Sequence, residues 1–162
     1  FVLPVRAVDW YRWRGPDLSG ISKETGWQTQ WPTSVPKQLW KASIGAGFAS
    51  VTVSKGRAYA MGNTNATDTL FCFDANTGAV LWKHSYACPL EAKSHEGGPC
   101  ATATVDGERV YTFSKKGHVF CLDAASGKVL WRKVKLICKT TVFNLLTQTR
   151  KIRGCMDLRE LV

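Results

Sequence analysis

The chain has 162 residues, of which 44% are hydrophobic and seven are Trp, a composition that excludes wholesale disorder and suits one ordinary folded unit. No run of about eighteen apolar residues occurs, so the sequence contains no transmembrane helix. The net charge of +10 is concentrated at the C-terminal end, because residues 132–162 hold eight Lys or Arg and only two Asp or Glu. The rest of the chain has no basic stripe interleaved with aromatic residues, which excludes nucleic acid as a partner.

Residues 1–36 are expected to form an extended N-terminal strap. The opening letters FVLPVRA fit either the end of a signal peptide's apolar region or a disordered lead-in, and the first alternative indicates a periplasmic or secreted protein. Further along, Arg12 and Arg14 flank Trp13. We expect this segment to lay its aromatic residues across the face of the fold, and an anion-binding site made by stacked Arg and Trp is the alternative.

Residues 37–45, with the sequence KQLWKASIG, predict a lone β-strand. They resemble AVLWKHSYA at 79–87, and Trp40 takes the place of Trp82. No D-x-x-T-G turn and no other strand signal precedes them. The strand is therefore expected to complete another sheet.

Two similar units follow, at 47–86 and 98–134. In each, four short segments rich in β-branched and aromatic residues are separated by turn residues, which predicts a four-stranded antiparallel meander. VTVSKGRAYAM at 51–61 aligns with ATVDGERVYTF at 103–113. A repeat period of about 50 residues is typical of β-propeller blades. The predicted fold is all-β, with about two blades plus one extra strand of an incomplete ring.

The turn before each fourth strand repeats one motif, CFDANTGAVLW at 72–82 and CLDAASGKVLW at 121–131. Its Asp is expected to accept backbone N–H groups inside the turn, and its Gly is expected to adopt the left-handed conformation. Its Trp is expected to pack against the neighbouring blade, because a single sheet cannot bury both of its faces. The predicted structural residues are Trp40, Asp74, Gly78, Trp82, Asp123, Gly127 and Trp131.

The longest insertion between predicted strands is the loop at 87–100. It contains His95 and Glu96, a pair able to bind a metal ion or transfer a proton; ordinary solvated polar residues are the competing interpretation. Cys88 and Cys100 bracket the loop, and both a disulfide and two free thiols are open. Since the six Cys form no C-x-x-C pair, no zinc or other metal site is predicted.

Four residues inside the predicted strands have a simpler interpretation. Cys72 and Cys121 occupy matching positions in the two units and are expected to be small buried apolar residues. His84 and His118 lie in or beside strands and are expected to face solvent.

Residues 135–162 no longer follow the repeat. No strand–turn–strand pattern or D-x-x-T-G turn appears, and basic residues take over. One interpretation is a polar extension with some strand or helix of its own. The other is translation out of frame, in which case Cys138 and Cys155 would have no role.

The repeat A/L/F-D-A-x-[ST]-G-x-x-x-W resembles that of the pyrroloquinoline quinone (PQQ)-like β-propellers, and WYRWRGPDLSGISKETG at 10–26 resembles their N-terminal segment, including that of members similar to quinoprotein alcohol dehydrogenases. Such propellers close with seven or eight blades, so the resemblance implies a fragment of a larger ring. Family enzymes hold PQQ and a metal ion in the central funnel, with a catalytic Asp and often a disulfide between adjacent Cys. This sequence has no adjacent Cys pair, and none of its Asp residues matches the catalytic one.

The resemblance implies two functions. The first is a binding or scaffold module that is not catalytic alone, holds no cofactor itself, and has the remaining blades or another protein as partner; its ligand is open. The second is the N-terminal part of a PQQ-dependent dehydrogenase of alcohols or sugars, whose full-length parent binds PQQ and Ca²⁺. A repeat indicates a fold, whereas function depends on a site.

Overall fold

Two four-stranded antiparallel sheets make up the fold in the computed structural model, which describes residues 8–26, 38–91 and 96–134. The strands are β1 (Thr52–Ser54), β2 (Arg57–Thr64), β3 (Thr67–Asp74), β4 (Val80–Ala87), β5 (Thr104–Asp106), β6 (Arg109–Phe113), β7 (His118–Asp123) and β8 (Val129–Val134). The first four strands form one sheet and the last four form the other, each in chain order. The predicted four-stranded meanders are confirmed, and no helix occurs in the described residues.

Both sheets have a β-bulge at the same place in the last strand. In the first sheet Cys72 pairs with Trp82 and Phe73 pairs with Val80, which leaves Leu81 as the extra residue. The second sheet repeats this irregularity between β7 and β8, with Leu130 as the extra residue. A bulge bends its strand and increases the local twist. The repeat in the sequence is therefore a repeat of backbone detail as well as of strand order.

The main apolar core lies between the two sheets. Its buried members are Tyr59, Met61, Leu70, Cys72, Trp82, Ala103, Val105, Val110, Phe120, Leu122 and Ala124. Cys72 and Cys121 are both fully buried, as the sequence predicts. Neither sheet could bury this surface alone, so each depends on the other for its apolar core.

The segment at 37–45 differs from the lone strand that the sequence predicts. Within the described residues, positions 38–45 pair with no strand, and Ala46 makes only an isolated bridge to Asn63. Trp40, Ala42 and Ile44 pack against a second apolar cluster on the first sheet. The resemblance to residues 79–87 suggested a strand, but here every second side chain packs on the face of a sheet. A strand also requires a hydrogen-bonded neighbour, and none of the described strands provides one here.

The strap at 8–26 ties the two sheets together at their first strands. The amide of Val53 in β1 donates to the carbonyl of Trp10 (3.0 Å), and the amide of Val105 in β5 donates to the carbonyl of Tyr11 (2.8 Å). The Asp9 carboxylate also accepts from the Ser54 hydroxyl at 3.0 Å. One short segment thus connects both sheets.

Several predictions fall outside the described residues. They concern His95, the first residues of the strap, and the tail at 135–162 with its out-of-frame interpretation. Among the residues that are described, no helix is long and apolar enough to cross a membrane.

Candidate functional site: the joint between the sheets

The Asp of each repeated turn organises the backbone that follows it. Asp74 Oδ1 accepts from the amide of Thr77 at 2.8 Å, from its hydroxyl at 2.9 Å, and from the amide of Asn76 at 3.0 Å. In the second turn Asp123 Oδ1 accepts from the amide of Ser126 at 2.8 Å and from its hydroxyl at 2.6 Å. These bonds favour the charged carboxylate. Both Asp side chains thus accept hydrogen bonds from the backbone of their turns.

The same hydrogen bonds shift the titration of both carboxyl groups. They lower the pKa of Asp74, with the Thr77 amide contributing most. They also lower the pKa of Asp123, where the Ser126 hydroxyl contributes most. Both turns are therefore held by ionised carboxylates at neutral pH.

The Gly of each turn is required for two reasons. Gly78 and Gly127 have φ of 72° and 71°, in the left-handed region that other residues resist. In addition, a Cβ on Gly78 would lie 2.5 Å from the Trp40 ring, and one on Gly127 would lie 2.6 Å from the Trp82 ring. The sequence predicts the first requirement but does not reveal the second.

Trp40 and Trp82 each also donate a hydrogen bond to the turn on which they pack. Trp40 Nε1 donates to the carbonyl of Ala75 at 2.9 Å, and Trp82 Nε1 donates to the carbonyl of Ala124 at 3.1 Å. Ala75 and Ala124 each follow the Asp of their turn. Trp82 thus packs on the turn of the second sheet. The complete contact, called here the Trp–Gly joint, consists of the indole ring over Gly and the indole N–H on the carbonyl three residues earlier.

Trp131 has the same position in the second sheet as Trp82 has in the first. It lies 6.2 Å from the Tyr111 ring, as Trp82 lies 5.9 Å from the Tyr59 ring. Trp131 remains partly exposed, and within the described residues no further turn receives it. The second sheet therefore presents the Trp of a joint without a described turn to receive it.

A buried polar cluster lies at the opposite end of the strands from the joint. The Asp68 side chain, only 2% exposed, accepts from Asn63 Nδ2 at 2.7 Å and from the Tyr86 hydroxyl at 3.4 Å. Burial raises the pKa of Tyr86 and raises that of the Cys88 thiol to about 11. The thiol is therefore neutral at physiological pH and a weak nucleophile.

The two histidines expected to face solvent lie instead against the apolar core. The His84 ring packs edge-on against Phe120 at 4.7 Å, and His118 packs against Tyr86 at 5.4 Å. Burial lowers the pKa of His84. The expectation was wrong because the period of two in a strand puts residues 82, 84 and 86 on the face that packs on the second sheet.

The loop candidates do not form a site in the described part of the chain. Glu96 is exposed, and its predicted partner His95 is outside the described residues. Cys88 is buried, Cys100 is exposed, and both are free thiols, so the disulfide alternative is not the one observed. Within the described ranges, no three His, Cys, Asp or Glu side chains are arranged to hold a metal ion.

The two arginines of the strap support its own backbone. Arg12 Nε donates to the carbonyl of Gly15 at 3.3 Å and its guanidinium also binds the carbonyl of Pro16, while Arg14 donates to the carbonyl of Ser19 at 2.9 Å. These bonds favour the structural interpretation of the segment over an anion-binding site.

Comparison with known proteins matches part of the chain to a family model. Residues 66–136, from the β2–β3 turn to just beyond β8, match the model of a family described as outer membrane protein assembly factor BamB. A search of curated proteins finds no match.

Solved structures with similarity to the chain include BamB and two dehydrogenases. BamB from Moraxella catarrhalis is 25% identical, with a TM-score of 0.39 over 59% of this chain and 24% of its own. A europium-containing methanol dehydrogenase is 12% identical (TM-score 0.43, 58% and 17%). Quinohemoprotein alcohol dehydrogenase ADHIIG from Pseudomonas putida is 18% identical (0.42, 62% and 15%).

The chain thus spans a quarter or less of the length of these three proteins. The matched residues include all of β3 to β8, and the Trp–Gly joint occurs twice in the described residues. The repeated sheets and the matched family model are consistent with a fragment of a PQQ-like β-propeller.

Proposed function

We propose that this chain supplies two consecutive blades of a larger propeller, which acts as a binding or scaffold module and has no catalytic site within these blades. The observation that carries the proposal is the double occurrence of the Trp–Gly joint. Trp40 fills the turn of the first sheet and Trp82 fills the turn of the second. Trp131 is presented in the same way for a further blade, so the first partner of this chain is a sheet of its own kind.

The chemistry of the described side chains supports a scaffold. Asp74 and Asp123 are committed to their turns, and Asp68 is buried among donors. Burial raises the pKa of the Cys72 and Cys88 thiols to about 11. Among the described residues, Ser114 hydrogen-bonds to His118 at 3.1 Å, but its hydroxyl is buried, whereas covalent catalysis requires a nucleophile that substrate can reach.

A periplasmic or secreted location is part of the proposal. It rests on the family description, which refers to outer-membrane assembly, and on the apolar opening of the sequence. A role in protein assembly would make another protein the second partner, in addition to the remaining blades.

The alternative is a PQQ-dependent alcohol or sugar dehydrogenase in the full-length parent. The described residues do not form a site for PQQ and its metal ion by themselves, because they contain no set of metal-ligating side chains. In the family that the sequence resembles, the PQQ site in the central funnel is formed by residues from the whole ring. The test is PQQ binding by the full-length protein with and without Ca²⁺, together with reduction of an artificial dye by ethanol and glucose. The scaffold proposal expects neither; tight Ca²⁺-dependent binding with dye reduction would overturn it.

A second measurement tests the blade assignment independently of catalysis. Trp131→Ala should destabilise the full-length parent as much as Trp82→Ala does, because both rings would then lie in a joint. If Trp131→Ala left the parent unaffected, no blade would follow the second sheet at this surface.

A further inference from the structure

The last strand of each sheet presents an exposed Leu beside an exposed cation. The order Leu-Trp-Lys or Leu-Trp-Arg occurs three times, beginning at Leu39, Leu81 and Leu130. These three Leu side chains are 73%, 48% and 48% exposed, although the Trp between each Leu and its cation packs inward. Position 81 and position 130 are also the extra residues of the two bulges.

The absence of an adjacent sheet on one side does not explain why these Leu side chains are exposed. Leu81 belongs to the sheet that has a following sheet beside it, and Leu130 belongs to the sheet that has a preceding one. Both are nevertheless exposed to the same extent. The outer strands therefore hold their Leu at the periphery, where packing between blades does not cover it.

The cations of the same strands have no acidic partners among the described residues. β4 carries Lys83, β8 carries Arg132 and Lys133, and neither strand contains Asp or Glu. All three cations are exposed. By contrast, three lysines elsewhere, Lys23, Lys55 and Lys116, form ion pairs. Asp74 and Asp123, which precede these strands, are engaged by their own turns.

We propose that the outer surface, defined by Leu81, Lys83, Leu130 and Arg132, binds peripherally to an anionic lipid bilayer. Exposed aliphatic side chains next to Lys and Arg are the combination that holds a protein at a lipid interface. The cations attract anionic headgroups, and the Leu side chains enter the boundary between headgroups and acyl chains. The negative charge of the partner follows from the absence of acidic residues on both strands.

Other occupants fit this surface less well. Addition of a partner strand to β4 or β8 is opposed by the bulges and by the cations, both of which protect strand edges from pairing. A second copy of the same surface would bring like charges together. A bilayer needs neither a free strand edge nor a shaped groove.

The test is sedimentation of the full chain with vesicles of phosphatidylcholine alone and with vesicles that contain phosphatidylglycerol. We expect binding only to the anionic vesicles, with a loss on raising the salt concentration. Lys83→Gln with Arg132→Gln should weaken binding roughly fivefold for each cation removed. Leu81→Ser with Leu130→Ser should weaken it without changing the net charge. Circular dichroism of each variant confirms that the sheets are retained.

Matched controls separate this surface from general basicity. Lys55→Gln removes one positive charge away from the outer strands, and Leu90→Ser removes a Leu that is 44% exposed in the loop after β4; both should bind like the wild type. Equal weakening by the controls and the outer-strand variants would overturn the proposal, as would unchanged binding of the outer-strand variants, which would assign binding to the basic tail. Absence of vesicle binding would also overturn it and favour an acidic protein partner.

Discussion

Replacing Trp82 with alanine should destabilise the chain far more than the same change at Trp131. Trp82 is 9% exposed, lies against Gly127 and donates to the carbonyl of Ala124. Truncation of a buried Trp costs about 3–5 kcal/mol, so we expect a loss of about 4 kcal/mol for Trp82→Ala. Trp131 is partly exposed and contacts the ring of Tyr111, so its truncation should cost only about 1–2 kcal/mol.

The assay is urea unfolding of the full chain, followed by far-ultraviolet circular dichroism, with free energies from the midpoint and slope. If the wild-type chain is only marginally stable, Trp82→Ala should lose the cooperative unfolding transition, whereas Trp131→Ala should retain it. Trp82→Phe is the informative intermediate, because it keeps a ring over Gly127 but loses the indole hydrogen bond, which is worth about 1 kcal/mol. Equal losses at positions 82 and 131 would refute the argument that the joint is filled at one and half-formed at the other.

Three further predictions concern the turns and the thiols. Gly127→Ala should cost about 2 kcal/mol more than Gly107→Ala in urea unfolding, since both have positive φ but only the first adds a steric clash; similar losses would mean that backbone strain alone matters. Because folding lowers the pKa of Asp123, the stability that it contributes is present above the unfolded pKa near 4 and is lost as the pH falls through the folded value. Asp123→Asn should therefore flatten the acid side of the stability profile, and an unchanged profile would contradict the role of the carboxylate. Iodoacetamide should modify the exposed Cys100 long before the buried Cys88, as followed by peptide mass spectrometry, and equal rates would argue against the buried thiol.

The repeated motif made the sheets predictable. Strand order and turn position follow from alternation and from the Asp and Gly of each turn, which act through local backbone chemistry. The Trp contact was also predictable in kind, because a large aromatic residue on a sheet edge needs an apolar neighbour. These features depend on residues close together in the chain.

The remaining features depend on residues brought together from distant positions. That Gly127 must make room for Trp82 could not be seen from either residue alone. The buried cluster around Asp68 combines residues from β2, β3 and β4, and no motif or spacing in the sequence predicts it. The segment around Ile44 shows the reverse error: it resembles the fourth strand at 79–87, yet residues 38–45 pair with none of the described strands.

The Trp–Gly joint has a direction. In the Trp82 joint an indole on one sheet meets a turn on the next, so the two surfaces in contact are different, as in a head-to-tail interface. A two-fold dimer would place Trp131 opposite another Trp131 and would leave both turns unfilled. Contacts of this kind either close into a ring or continue without limit, and the rotation from one blade to the next decides which. Because each joint involves only adjacent blades, gain or loss of a whole blade would change the size of the ring while leaving every remaining joint unaltered.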